Sequence, residues 1–169
     1  LLILRHAKSD WDSGAQNDFD RPLNRRGQQE APRIGYWLRQ ADCLPDHVIA
    51  SPAARAAATT QHVLASAGLA EGLEIHWEEA VYEARPSTLL DILLAAPAAA
   101  ERILLVGHNP GLEGLLRLFL EGALPSTASG KSLTTANLVR LRMAADWRQA
   151  PSGSAELLAW VRGADLPEQ

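Results

Sequence analysis

An α/β three-layer sandwich with a mostly parallel central sheet is the fold class this sequence predicts. Short apolar runs alternate with stretches of helical periodicity along the chain, the pattern of strand–helix–strand units. Three of the runs, Leu1-Leu2-Ile3-Leu4, Val48-Ile49-Ala50 and Ile103-Leu104-Leu105-Val106, read as buried strands. Each gives out at a short polar motif: Leu4-Arg5-His6-Ala7, Ser51-Pro52-Ala53-Ala54-Arg55 and Gly107-His108-Asn109-Pro110-Gly111. In open α/β sheets, ligands bind beyond the carboxyl ends of the strands, so the three motifs are candidates for one shared site.

The elements follow in order. After the first strand, residues 8–23 are polar, hold Gly14 and several acids, and lack periodicity. A long loop leaving a strand end beside Arg5 and His6 reads as the rim of a pocket. Asn24 is placed to cap a helix over 24–41, on which Ile34, Trp37, Leu38 and Ala41 recur at helical spacing, with Pro32 inside it. A strand over 47–50 leads to Ser51, which is expected to cap a helix with Pro52 at its first position. A third strand is expected over 73–77, a third helix over 86–94 and a fourth strand over 102–106. Asn109 and Pro110 repeat the cap-plus-proline start, for a helix with Leu112, Leu115, Leu116, Phe119 and Leu120 on one face. Strands over 138–143 and 156–161 complete the sheet and add antiparallel pairing at its end.

Composition narrows the function. A chain of 169 residues with 47% hydrophobic and 21% charged residues fits one soluble domain spanning 1–169. The net charge of −4 argues against a nucleic-acid partner, so an anionic ligand must be met by a local basic site. No run is apolar for long enough to span a bilayer. The lone Cys43 has no internal disulfide partner and reads as an inert residue near a helix end. Cytoplasmic location is the expectation, and the opening strand at Leu1 implies a few residues upstream of it. Nothing in the sequence sets the oligomeric state.

The chemistry comes from the strand ends. Arg5-His6 alone would suit any surface strand terminus. Arg55 stands one turn into a helix, where side chains lean toward the N-terminus and its guanidinium can reach back. His108 is left just outside a helix, aimed at the cleft. A neutral imidazole can attack phosphorus. Arg5 and Arg55 would clamp the non-bridging oxygens with planar, permanently charged forks. His108 would donate to another oxygen as charge builds, and cationic neighbours would keep His6 unprotonated. Water then releases phosphate from His6. This chemistry calls on no metal and no cofactor.

These residues resemble the histidine phosphatase superfamily, which has the phosphoglycerate mutase-like fold, and within it the short bacterial SixA-type phosphohistidine phosphatases. The likeness runs through Leu4-Arg5-His6-Ala7-Lys8-Ser9, Asp20-Arg21-Pro22-Leu23, Arg26-Gly27, Ser51-Pro52 to Arg55, and Val106-Gly107-His108-Asn109-Pro110. It implies that His6 is the phosphorylated histidine, with Arg5, Arg55 and His108 completing the phosphate pocket. It also implies a general acid in the segment before the third helix, where Glu83 is the candidate and Glu78 and Glu79 are rivals. Ala7 and Lys8 depart from the glycine and Glu or Gln common in relatives, and Asp12 stands where mutases use asparagine. These departures, and a chain without an obvious roofing insertion, count against a sugar-phosphate mutase. They favour an open site for a phosphorylated protein carrying phosphohistidine, the alternatives being a small phosphorylated metabolite as substrate or a non-catalytic module that binds phosphate or a phosphoprotein.

Lys8 and Arg21 are further substrate-binding candidates, with Arg21 and Asp20 bracing the rim. His47, His62 and His76 read as surface or sheet-edge residues. Trp147 and Trp160 are placed in the late strands as core or cover, and Arg140 with Arg142 as a solvated strand face.

Overall fold

The computed structural model describes residues 1–122, 124–128 and 130–168. Six strands form a single sheet: β1 (Leu2–Arg5), β2 (His47–Ala50), β3 (Ile75–Trp77), β4 (Ile103–Gly107), β5 (Asn137–Met143) and β6 (Ala155–Arg162). Their order is β3-β2-β4-β1-β5-β6. The first four in that order run parallel, and β5 and β6 are antiparallel additions at one edge. Four helices lie between the strands: α1 (Arg25–Gln40), α2 (Ala54–Ala67), α3 (Pro86–Ala95) and α4 (Gly111–Leu120).

Alternation of side chains along the strands divides the core in two. Leu2, Leu4, Val48, Ala50, Leu104 and Val106 pack with Ala31, Ile34 and Leu38 of α1 and Val63 and Leu64 of α2. Ile3, Ile49, Ile103 and Leu105 face the other way, onto Leu89 and Leu93 of α3 and Leu112, Leu115, Leu116 and Phe119 of α4. The three-layer sandwich expected from the sequence is thus present. No helix among the described residues is long and apolar enough to cross a membrane.

Helix α1 starts as expected, with the Asn24 side chain accepting from the Gly27 amide. It continues through Pro32, whose interior position costs about 3 kcal/mol. Complete burial of Ala31, Ile34 and Leu38 beside it offsets that cost. Gly27 is there because nothing larger fits, since a Cβ would lie 2.2 Å from the Lys8 carbonyl oxygen.

Two helix starts differ from expectation. Helix α2 begins at Ala54 behind Ala53, with no side-chain cap. Ser51 instead lies upstream, accepting from the Ala53 amide at 3.3 Å and bonding a histidine described below. Helix α4 begins behind Pro110 rather than Asn109. The Asn109 amide is spent on Glu113 Oε1 and the Leu133 carbonyl, each at 2.9 Å. In both cases a side chain suited to capping was drawn to a tertiary partner.

Trp147 is also displaced, lying in the turn between β5 and β6 and meeting Phe119 edge-on. Trp160 is on β6, half-buried. His47 and His76 adjoin on β2 and β3 with ring centroids 4.5 Å apart. Arg142 on β5 is exposed and paired with Glu156, and Cys43 is fully buried beyond the end of α1.

Candidate active site

The register of the parallel strands brings the motifs together. Leu4 pairs with Val106 and Arg5 with Gly107, so His6 and His108 each follow directly on a paired position. The His6 amide continues the ladder to the Gly107 carbonyl at 3.1 Å. Ala50 pairs with Val106, and the Ser51 amide donates to the Val106 carbonyl at 3.0 Å. The ends of β1, β2 and β4 therefore adjoin.

His6 is 6% exposed. Its Nδ1 lies 2.8 Å from the Ala7 carbonyl. A carbonyl only accepts, which assigns the ring proton to Nδ1 and leaves the Nε2 lone pair as an acceptor. Arg55 Nε points at that Nε2 from 3.4 Å. Burial lowers the His6 pKa to about 3, and the nearby His108, Arg55 and Arg5 push the same way against the Ala7 contact. The ring is neutral at physiological pH.

His108 is buried by a similar amount, and burial with the Arg55 charge lowers its pKa to about 4. Its Nε2 meets Ser51 Oγ at 2.7 Å, while Nδ1 is buried with no partner among the described residues. Arg5 donates to the Leu133 carbonyl at 2.7 Å, and its Nε is likewise buried and unpartnered. Glu113 supports this wall by accepting from the Leu133 amide at 3.0 Å and from Asn109.

Arg55 is 5% exposed in the first turn of α2, with its terminal nitrogens on Asp18: one at 2.6 Å from the backbone oxygen, the other at 2.7 Å from Oδ2. Arg21 approaches the same carboxylate from the other side, with Nε and Nη2 at 3.2 and 2.7 Å from Oδ1. Its remaining terminal nitrogen donates to Ser9 Oγ, and its guanidinium lies over the exposed Trp11 ring. Tyr82 donates to Asp18 Oδ2 at 2.9 Å and stands edge-on to His108. Arg21 foremost, then Tyr82 and Arg55, hold the Asp18 carboxyl well below the usual carboxylate range.

The structure thus gathers Arg5, His6, Arg55 and His108 at the strand ends, with Arg21 joined to Arg55 through Asp18. Glu83 is exposed beside Tyr82, and no hydrogen bond joins it to His6 or His108 among the described residues. It lines a cleft of about 420 Å³ with Pro110, Glu113 and Arg117. Lys8 is half-buried and contributes its carbonyl to the Asn24 amide. Asp20 and Arg21 both brace the rim from within it, Asp20 by exchanging hydrogen bonds with Asn17 and Arg21 by donating to Asp18 and Ser9. Sequence reasoning missed Asp18, Tyr82 and the Ser51–His108 contact. Nothing in the spacing marks Asp18 out from Asp10, Asp12 or Asp20. No group of three side chains able to hold a metal ion occurs among the described residues.

Residues 1–86 match the model of the histidine phosphatase superfamily (branch 1). An uncharacterized protein of Mycobacterium tuberculosis (strain ATCC 25618 / H37Rv) is 30% identical over 161 residues, covering 93% of this chain and 98% of that protein. A crystal structure named for the phosphohistidine phosphatase SixA of Agrobacterium tumefaciens superposes with a TM-score of 0.77 at 29% identity, covering 95% of each chain. A 2,3-bisphosphoglycerate-dependent phosphoglycerate mutase of Streptomyces avermitilis is 41% identical over 81 residues, 46% of this chain and 29% of that one. Neutral His6 among two arginines and a second histidine agrees with that kinship, and the chain belongs to the histidine phosphatase superfamily, a hydrolase of the phosphatase type.

Proposed function

We propose that the protein removes a phosphoryl group through a covalent phosphohistidine on His6, acting on phosphohistidine carried by a protein. The observation that carries this reading is the state of His6. Its Nδ1 proton is committed to Ala7, its pKa is far below neutrality, and its Nε2 lone pair lies between cationic groups. In the first step Nε2 forms a bond to phosphorus as the bond from phosphorus to the leaving group breaks. An alkoxide leaving group takes its proton from a general acid, for which Glu83 is the candidate, whereas phosphohistidine already protonated on its other ring nitrogen leaves as neutral imidazole with no transfer. In the second, water attacks phosphorus as the N–P bond to His6 breaks, His6 leaves as its neutral Nδ1–H tautomer, and phosphate departs with both hydrogens of the water, one of which it yields to solvent.

Arg5 and Arg55 would hold the non-bridging oxygens, and the buried unpartnered Arg5 Nε and His108 Nδ1 supply donor capacity that such an anion could take. Arg21, and Lys8 on the segment leaving β1, are the further cations proposed to meet the substrate. The protein-borne substrate is supported by the likeness to the A. tumefaciens structure and by a rim formed from irregular chain and Tyr82 rather than an inserted domain.

The test is His6→Ala with wild type as reference. Wild type should hydrolyse a generic phosphoester and a phosphohistidine protein with multiple turnovers, and should carry an acid-labile, alkali-stable phosphoryl label during turnover. The variant should lose both activity and label. Full activity in His6→Ala overturns the mechanism, and preference for sugar or nucleotide monophosphates over phosphohistidine proteins overturns the substrate.

A further inference from the structure

We propose that Asp18 is a positioning residue for this reaction, its carboxylate setting the direction in which Arg55 faces His6. The inference rests on the phosphoryl-transfer reading above. Asp18 lies on the irregular segment between β1 and α1, where no helix or strand fixes it. Side chains from two distant parts of the chain and one near neighbour nonetheless converge on it: Arg55 from α2, Tyr82 from the segment before α3, and Arg21 from its own loop.

The geometry at Arg55 gives the contact its consequence. A guanidinium is planar, and Asp18 holds both terminal nitrogens, one through its backbone oxygen and one through Oδ2. With the plane fixed at that end, the third nitrogen has one direction left, and it faces Nε2 of His6. Thr59 secures the other end, donating to the Arg55 carbonyl at 2.6 Å and accepting the Ala7 amide at 2.9 Å. The guanidinium retains N–H groups beyond those spent on Asp18 and His6, so the contact orients Arg55 without exhausting it.

Asp18 is also an anion beside a site for anions. Its removal should therefore act in opposite directions on binding and on turnover. Phosphate should bind as well or better without a competing negative charge, while the reacting geometry loosens and the chemical step slows. General damage to the loop would weaken both together. The Asp18 side chain is 42% exposed, so replacement leaves the core untouched.

The experiment compares wild type with Asp18→Ala, using p-nitrophenyl phosphate for turnover and inorganic phosphate as the competing anion. The expected result is a kcat at least about tenfold lower with an inhibition constant for phosphate equal to or below that of wild type. A kcat within about threefold of wild type, or loss of kcat and phosphate affinity in step, overturns the proposal. Side-chain arginine NMR reads orientation independently: Arg55 should show a dispersed Nε–H resonance in wild type that collapses toward free arginine in Asp18→Ala. An unmoved resonance overturns the proposal whatever the activity. If wild type turns over no phosphorylated compound, the phosphatase reading fails while the resonance still decides the role of Asp18. Should Asp18→Ala not fold, Asp18→Asn is read by the same criteria.

Discussion

The His6 and His108 rings stand with centroids 5.1 Å apart and planes tilted by 51°, yet they are held by different kinds of partner. Ala7 offers His6 a carbonyl that only accepts, whereas Ser51 offers His108 a hydroxyl that can also donate. With Ser51 donating to Nε2, His108 carries its proton on Nδ1, the nitrogen without a partner. One ring then presents a lone pair and the other an N–H, the division of labour that attack on a phosphoryl group requires.

Ser51→Ala tests that division. It leaves a buried imidazole nitrogen unpaired, at a cost of about 1–3 kcal/mol, and frees the tautomer of His108. Thermal melting should register the loss of stability, and steady-state kinetics should show kcat reduced by roughly tenfold, about 1.4 kcal/mol of transition-state stabilisation. An unchanged kcat would mean that Ser51 does not orient the ring.

Glu83→Gln separates ester from phosphohistidine chemistry. An alkoxide leaving group needs a proton donor, and imidazole protonated on its own nitrogen needs less help. Ester hydrolysis should therefore fall steeply in the variant while phosphohistidine hydrolysis persists. Equal loss on both substrates would remove the distinction. No change on either would free the exposed Glu83 from any role.

Stability should depend on pH in two windows. His6 and His108 have folded pKa values of about 3 and about 4 against an ordinary 6.5. Below pH 6.5 the unfolded chain takes up protons that the folded chain refuses, so stability falls as pH drops from 6.5 toward 4. The slope is about 1.4 kcal/mol per pH unit for each histidine. Asp18 is shifted downward from its ordinary 3.8, so its contribution is present above that value and lost below it. Denaturant titrations from pH 7 to 3 should show both losses. The double variant His6→Gln/His108→Gln should flatten the upper window and keep the lower.

Gly27→Ala should destabilise the chain by about 1–3 kcal/mol, the range for forced overpacking. The added methyl meets the Lys8 carbonyl, which is backbone and already receives the Asn24 amide at 3.0 Å. Chemical denaturation measures the cost, and a variant as stable as wild type would show that the loop yields freely.

The sheet was legible because its strands are apolar enough to stand out and turn polar where they stop. Arg5, His6, Arg55 and His108 were legible for the same reason, since strand ends in such a sheet adjoin. The helix starts at Ser51 and Asn109 were misread because a short hydroxyl or amide side chain suits a cap and a tertiary bond equally, and only the packed structure chooses between them. Asp18 was hidden among similar acids. The Leu133 carbonyl that holds Arg5 was beyond reach, because a backbone oxygen carries no sequence signal.

The spacing of the two imidazoles is inherited from the alignment of β1 against β4 rather than from contact between the rings. Sliding one strand past its neighbour by a single residue would send its terminal side chain to the opposite side of the sheet. Aliphatic interlocking beneath, by Ile3 and Leu105 on one side and Leu4 and Val106 on the other, therefore acts as a ruler for the chemistry above. The mouth can be rebuilt around new substrates, by insertion or by exchange of residues, without recalibrating that ruler.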